Sequence, residues 1–336
     1  MTNLTDKFYR IPTGDKLKPF TFVVGGRGIG KSYSCIDTCI TKYPHAFLYL
    51  RNTEVQLRES CGSFGNPFKR WGRDHNRDIF MKMQGDHAVV YEVKGSGEDS
   101  EKIEIGYGAA LSTFENLRSI DLSDVKFIMF EEFIEKRTLS FDQFDAIQQC
   151  YETVNRNREL FGEDPLYIVL LSNAQRLGNP ILRGYDLIPV IEGMQRTGQR
   201  VATVGNKRIE LPFSEISEMK RSTALYADGS EKFIEQAINN NFSNDSFAGV
   251  KKVNLMEYTP VCAIDGIYIY RNKAGVNFYA CSTPAKGVHE YRSKDHMIIF
   301  QRLYGIKLKL AYGVDQLLFS DYSTKVDLMT ILNMLY

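Results

Sequence analysis

Three short stretches of the chain are nearly unbroken in apolar side chains: "FTFVV" (20–24), "VKFIMF" (125–130) and "LYIVLL" (166–171). Runs of this length, rich in β-branched and aromatic residues and without alternation, predict strands covered on both faces, as in a parallel sheet. The segments after them change period. In "KSYSCIDTCITKY" (31–43), Ile36 and Ile40 stand four apart, a helical spacing. In "SFDQFDAIQQCYETVNRNREL" (140–160), Phe144, Ile147, Tyr151 and Val154 share one helix face, and Ser140 with Gln143 makes a capping-box pattern. Alternation of apolar and polar positions in "HAVVYEVKGSGEDSEKIEIGYG" (87–108) predicts a β-hairpin turned at "GSGEDS". After residue 205 the texture changes. "FSEISEMKRSTALYADGSEKFIEQAINN" (213–240) predicts two short helices broken at "ADGS", and "NNNFSNDS" (239–246) reads as a linker. "VCAIDGIYIYRNKAGVNFYACS" (261–282) predicts two antiparallel strands turned at "NKAG", with helical and strand cover from 297 onward. The expected organisation is an α/β domain over 1–205 carrying a basic insertion at 52–85, a helical linker over 206–246, and a small α+β domain over 247–336.

Composition narrows this picture only slightly. The 336 residues are 43% hydrophobic and 25% charged, which suits globular domains with real cores. Lys and Arg number 42 against 41 Asp and Glu, a net charge of +1, so the overall balance announces no nucleic-acid partner. Six cysteines lack the spacing of a disulfide framework or of a zinc site; they read as reduced thiols of a cytoplasmic protein. No apolar run approaches the ~18 residues of a membrane helix, and "MTNLTDKFYR" has no signal-peptide core. A membrane partner is therefore not expected.

The candidate chemistry begins directly after the first apolar run. Gly25, Gly26, Arg27, Gly28, Ile29, Gly30, Lys31 and Ser32 fit G-x-x-x-x-G-K-[ST] in full, between a predicted strand and a predicted helix. Glycines let backbone N–H groups turn inward around phosphate oxygens, and the helix N-terminus adds partial positive charge. Lys31 would bridge the terminal phosphates of ATP and Ser32 would ligate Mg²⁺. Arg27 either senses phosphate or faces water. The second apolar run ends in two carboxylates, Glu131 and Glu132, where ligands bind in open α/β sheets. In this Walker B-like pattern Glu131 takes the place usually held by Asp and would reach Mg²⁺ through water, and Glu132 would be the general base. The third run ends in Ser172 and Asn173, polar groups able to report loss of the γ-phosphate. Arg156 and Arg158 close the helix after 140; they suit its dipole or act as an arginine finger.

"FVVGGRGIGKS", "IMFEEFI", "TVNRNRE" and "LLSNA", in that order and at similar separations, resemble the DNA packaging ATPase of small protein-primed podophages, the phi twenty-nine type. The resemblance covers about residues 20–190. It implies a P-loop ATPase of the additional-strand, catalytic-glutamate class, followed by a small α+β RNase-H-like domain. It further implies a homopentameric ring at the portal of an empty procapsid in the host cytoplasm, driving double-stranded DNA inside. By the same resemblance Glu132 is catalytic, Arg156 is the finger acting on a neighbouring subunit, Arg158 is structural, Asn173 lies in the coupling motif, and Arg118 faces the next subunit's nucleotide.

Two basic regions remain. "NPFKRWGRDHNR" (66–77) would touch DNA phosphates, cover the nucleotide, or simply be a solvated face. Residues 271–309 hold eight Lys or Arg (Arg271, Lys273, Lys286, Arg292, Lys294, Arg302, Lys307, Lys309) against Glu290 and Asp295, enough to bind phosphates of DNA or of a structural RNA without regard to sequence. Asp265, Glu290 and Asp321 are the carboxylates available for a two-metal nuclease, but they form no clear acidic set, so a degenerate, binding-only domain is expected. The competing readings of the whole chain are an ATP-dependent helicase or assembly factor and a nucleotide-binding scaffold that does not hydrolyse.

Overall fold

The protein is described by a computed structural model covering residues 7–95, 100–119, 121–135, 139–227, 234, 248–275, 277–292 and 294–334. The chain divides into two compact units, residues 1–184 with 193–244, and residues 185–192 with 245–336.

Along residues 20–227 the strands are β1 (Phe20–Val24), β2 (Phe47–Arg51), β3 (Asp78–Gln84), β4 (His87–Lys94), β5 (Glu101–Ala110), β6 (Phe127–Glu131), β7 (Tyr167–Ser172), β8 (Val201–Val204) and β9 (Lys207–Glu210). The helices are α1 (Lys31–Lys42), α2 (Glu54–Cys61), α3 (Lys69–Asp74), α4 (Gln143–Asn155), α5 (Pro180–Gly184), α6 (Ile188–Thr197), α7 (Glu215–Lys220) and α8 (Ala224–Ala227). The strands form one sheet in the order β3-β4-β5-β2-β6-β7-β1-β9-β8. Its middle, from β5 to β9, is parallel throughout. The three apolar runs are β1, β6 and β7, which lie side by side and are almost wholly buried, as continuous hydrophobic strands require. Because all three run the same way, the polar residues at their C-terminal ends come out at one edge of the sheet.

The region expected as an insertion does not stand apart. The predicted hairpin is there as β4 and β5, but β3 pairs antiparallel with β4, and β5 returns parallel to β2. The sheet is thus extended by residues that the sequence pattern assigned to a separate element. Trp71 of α3 is fully buried among them, with its indole N–H donated to Asp37 Oδ1 at 2.9 Å and the Arg77 guanidinium 5.2 Å over its ring. Arg77 is held in turn by both oxygens of Glu92, at 2.6 and 2.7 Å. The proposed boundary at 205 falls in the turn between β8 and β9, a hairpin joined to the main sheet through β9 and β1. Propensity alone shows a hairpin but not which sheet edge receives it. The capping box is also displaced: α4 is capped by Asp142, whose Oδ1 accepts from the amides of Phe144 and Asp145, because the helix starts at Gln143 rather than after Ser140. Of the two short helices expected over 213–240 with a break at "ADGS", α7 precedes "ADGS", α8 ends on its first residue, Ala227, and most of residues 228–240 lie outside the described residues.

The smaller unit has β10 (Tyr258–Ile264), β11 (Ile267–Asn272), β12 (Phe278–Cys281), β13 (Glu290–Tyr291) and β14 (Leu317–Phe319), with α9 (Lys294–Phe300), α10 (Ile306–Gly313) and α11 (Tyr322–Ile331). Its sheet runs β13-β10-β11-β12-β14. Three strands, not two, make the antiparallel part, because the chain also turns at Asp265–Gly266. Asp265 therefore sits in that turn with a left-handed φ of 47°, not on a strand. Asp321 caps α11 by accepting from the Thr324 amide at 2.8 Å, and Glu290 pairs with Arg292 at 2.6 Å. Among the described residues no three His, Cys, Asp or Glu side chains gather as a metal-holding group. Arg271, Lys273, Lys286, Arg292, Arg302, Lys307 and Lys309 are all exposed, whereas Tyr258, Tyr270, Tyr279 and Tyr291 are buried in packing. All six cysteines are free thiols, five of them buried. No described helix is long and apolar enough to cross a membrane.

The burial of Trp71 predicts that Trp71→Ala costs the larger unit about 3–5 kcal/mol, from lost packing and an orphaned Asp37. Denaturant unfolding followed on that unit's transition checks this; a loss under about 1 kcal/mol would show that α3 is not part of the core.

Candidate nucleotide-binding site

The glycine loop connects β1 to α1 as its pattern predicts. Gly28 and Gly30 take left-handed φ values of 63° and 101°, conformations that strain any residue with a Cβ. At Gly30 a Cβ would also sit 3.1 Å from Phe8 Cβ and 3.3 Å from the Tyr9 carbonyl oxygen. Ile29 turns inward and is buried, while Arg27 stays exposed. Lys31, the first residue of α1, is buried, and its ammonium donates to the carbonyls of Gly25 and Gly26 at 2.8 and 2.7 Å and to Asn173 Oδ1 at 3.1 Å. Burial, then the nearby Lys220 charge, lowers its pKa to about 7, because both disfavour the protonated form. The ammonium is therefore held by neutral dipoles in a place where negative charge would be strongly favoured.

The carboxylates expected at the end of the second apolar run line the same cleft. Glu131 is the last residue of β6; it accepts from the Tyr49 hydroxyl at 2.6 Å, and Arg51 Nη1 lies 3.6 Å away. Burial, reinforced by the Glu131 charge, holds the Tyr49 phenol well above its usual pKa, so it remains a neutral donor. Glu132 turns the other way. Its φ of 55° is unusual for a residue with a side chain, and its carboxylate is 54% exposed against 14% for Glu131. That carboxylate pairs with Arg51 Nη2 at 2.8 Å, and Asn52 Nδ2 donates to the Glu132 carbonyl at 2.8 Å. The strained backbone is thus clamped from β2. Among the described residues no hydrogen-bond partner meets the buried Arg51 Nε.

Behind these groups lies a chain of buried amides. Gln143 Nε2 donates to Asn52 Oδ1 and to the Phe133 carbonyl, both at 2.6 Å, and Asn179 Nδ2 donates to Gln143 Oε1 at 2.9 Å. Ser172 Oγ accepts from the Ile134 amide at 3.3 Å, so Ser172 braces the loop after β6 while Asn173 faces Lys31. The cleft has a volume of about 1330 Å³, room for a nucleotide, and its lining includes Gly28, Gly30, Lys31, Ser32, Glu131, Glu132 and Asn173. Phe8, Arg10, Tyr33, Arg70, Asp74 and His75 are also among its lining residues. Arg70 and Asp74 are paired with each other at 3.0 Å, and the Tyr33 hydroxyl donates to Asp74 at 3.1 Å. Part of the 66–77 stretch therefore faces the cleft, in keeping with the covering alternative for that stretch.

Arg156 and Arg158 separate clearly. Arg158 is buried, and its guanidinium donates to the carbonyls of Val125, Val154 and Asn155 at 2.9, 3.1 and 3.2 Å. Arg156 closes α4 with a left-handed φ of 46°, is half exposed, and pairs with exposed Asp121 at 3.1 Å. Arg118 lies in a 3-10 turn over Leu111–Ser119, and its side chain is outside the described residues. Sequence reasoning missed Tyr49, Arg51 and Asn52. Their signal was present: "FLYLRN" is an apolar run that ends in polar residues, the same pattern that exposed Glu131 and Asn173.

The loop, the parallel sheet and the cluster of polar strand ends define the class as an α/β protein of the P-loop type. Residues 14–265 match the family described as Podovirus DNA encapsidation protein (Gp16), and the chain belongs to that family. It is 29% identical over 241 residues to a protein of Bacillus phage PZA named DNA packaging protein; the match takes in 69% of this chain and 64% of that relative's length. A solved structure of the bacteriophage Phi-29 viral genome packaging motor assembly superposes with a TM-score of 0.61 at 19% identity, over 97% of this chain and 99% of that one. The Phi-28 gp11 DNA packaging motor superposes with a TM-score of 0.60 at 16% identity, over 95% and 96%. At these identities the two structures speak for a shared fold.

The contrast between the two arginines predicts that Arg158→Ala lowers stability by about 2–3 kcal/mol through orphaned buried carbonyls, whereas Arg156→Ala changes it by less than about 0.5 kcal/mol. Denaturant midpoints of the two variants decide it; equal losses would contradict the separation.

Proposed function

We propose that this chain is an ATP-hydrolysing motor that moves double-stranded DNA into a phage procapsid, working as a homo-oligomeric ring. One observation carries the reading: in a member of this family, the phosphate-type loop, two strand-end carboxylates and a strand-end asparagine open into one cleft. In this reading the backbone amides of Gly28 to Ser32 and the Lys31 ammonium hold the triphosphate, and Lys31 exchanges its carbonyl partners for phosphate oxygens. Ser32 and Glu131 are the oxygen donors suited to Mg²⁺, which when bound neutralises charge on the phosphates. The longer Glu131 side chain is already drawn back by Tyr49. Glu132, the more exposed carboxylate, takes a proton from the attacking water once its ion pair with Arg51 opens. Asn173, already bonded to Lys31, relays the loss of phosphate to the loop after β7.

The finer assignments extend this reading. The sheet belongs to the additional-strand, catalytic-glutamate class, and the smaller unit is RNase-H-like, presenting its exposed basic residues to DNA or a structural RNA. Arg156, paired with exposed Asp121, swings to a neighbouring subunit's γ-phosphate, and Arg118 faces the same nucleotide. A pentameric ring on the portal of a procapsid in the host cytoplasm fits the relatives named for packaging motors.

Glu132→Gln should lower ATP turnover by about 10²–10⁴-fold while leaving ATP binding intact. The ATPase rate is measured with and without blunt duplex DNA and purified procapsids. An unchanged basal rate in the variant rejects Glu132 as the base, and unwinding of a forked substrate rejects packaging in favour of a helicase.

A further inference from the structure

The loop that carries Lys31 is touched by a segment for which its sequence pattern makes no provision. After β9 the chain passes Pro212, whose ring carbons would lie 2.8 and 3.3 Å from a Cβ placed on Gly25. It then forms α7, and the last residue of that helix, Lys220, donates its ammonium to the Arg27 carbonyl in the middle of the loop. A Cβ at Gly28 would stand 2.9 Å from Lys220 Nζ. One segment thus meets the loop at two separate points, one apolar and one charged.

The charge is out of place unless something negative comes to it. Among the described residues no carboxylate pairs with Lys220; its other neighbour is the face of the Tyr226 ring at 5.7 Å. Arg27, Lys31 and Lys220 put three positive groups around one loop, and the Lys220 charge contributes to the depressed pKa of Lys31. Partial burial pushes the Lys220 pKa down as well. Like charges this close repel, and a polyanion seated on the loop would turn that repulsion into attraction.

We propose that Lys220 binds the terminal phosphates of a nucleoside triphosphate held on the Gly25–Ser32 loop, so that the segment 211–227 closes on the loop when the triphosphate is present. This rests on the nucleotide-binding reading above and adds to it a cation from outside the loop motif. The Nζ lies against Arg27 and Gly28, and a short movement from the Arg27 carbonyl brings it to a phosphate oxygen cradled by the same loop. Because Lys220 is the end of a short helix packed through Pro212 on Gly25, that movement is carried by the segment as a whole.

The test uses the full chain, fluorescent ATP and ADP analogues, and amide hydrogen exchange over 211–227. Lys220→Met should weaken ATP binding about tenfold or more and ADP binding less, with the melting temperature unchanged, and Lys220→Arg should restore most of the loss. In the wild-type chain ATP should slow exchange over 211–227 more than ADP does; in Lys220→Met this difference should vanish. Equal ATP affinity in wild type and Lys220→Met, no rescue by Lys220→Arg, or exchange over 211–227 that ignores ATP would each overturn the inference and leave the nucleotide reading standing. A wild-type chain that binds neither analogue would overturn both.

Discussion

A lysine ammonium buried in a cleft and bonded only to uncharged oxygens is a costly arrangement, and much of the larger unit is built to maintain it. Lys31 is fixed at the first turn of α1 by a loop whose glycines adopt left-handed conformations that strain residues with a Cβ. Its three acceptors come from the loop itself and from the end of β7. Burial and neighbouring positive charge both work against its protonated form. Such a group is metastable in electrostatic terms: the protein supplies dipoles that tolerate the charge, and a bound polyphosphate would supply charge that needs it.

The parallel sheet is what brings the remaining groups to that ammonium. β2, β6, β7 and β1 are neighbours running in one direction, so Arg51, Glu131, Glu132, Asn173 and the glycine loop emerge at the same edge. Two acidic residues adjacent in sequence then acquire different environments. Glu131 stays on the strand and is tied to Tyr49. Glu132 is swung outward by a left-handed backbone and tied to Arg51. The difference arises from a single dihedral, stabilised by Asn52 and the amide chain through Gln143 and Asn179. That chain joins the loop after β6 to the loop after β7.

Local pattern was enough to locate the glycine loop, three buried strands, α1, α4 and the strand-end carboxylates. Each is encoded within about a dozen residues, where period and turn chemistry act directly. Tertiary structure alone decided everything that needs two distant segments to meet. It put β5 beside β2 and β9 beside β1, buried Trp71 and Arg158 while leaving Arg156 half exposed, and clamped Glu132 with Arg51 from 81 positions away. It also brought Lys220 to a loop 193 positions earlier. Spacing along a chain carries no record of which strand edge a hairpin will join, because that choice depends on complementary surfaces that exist only once both have formed.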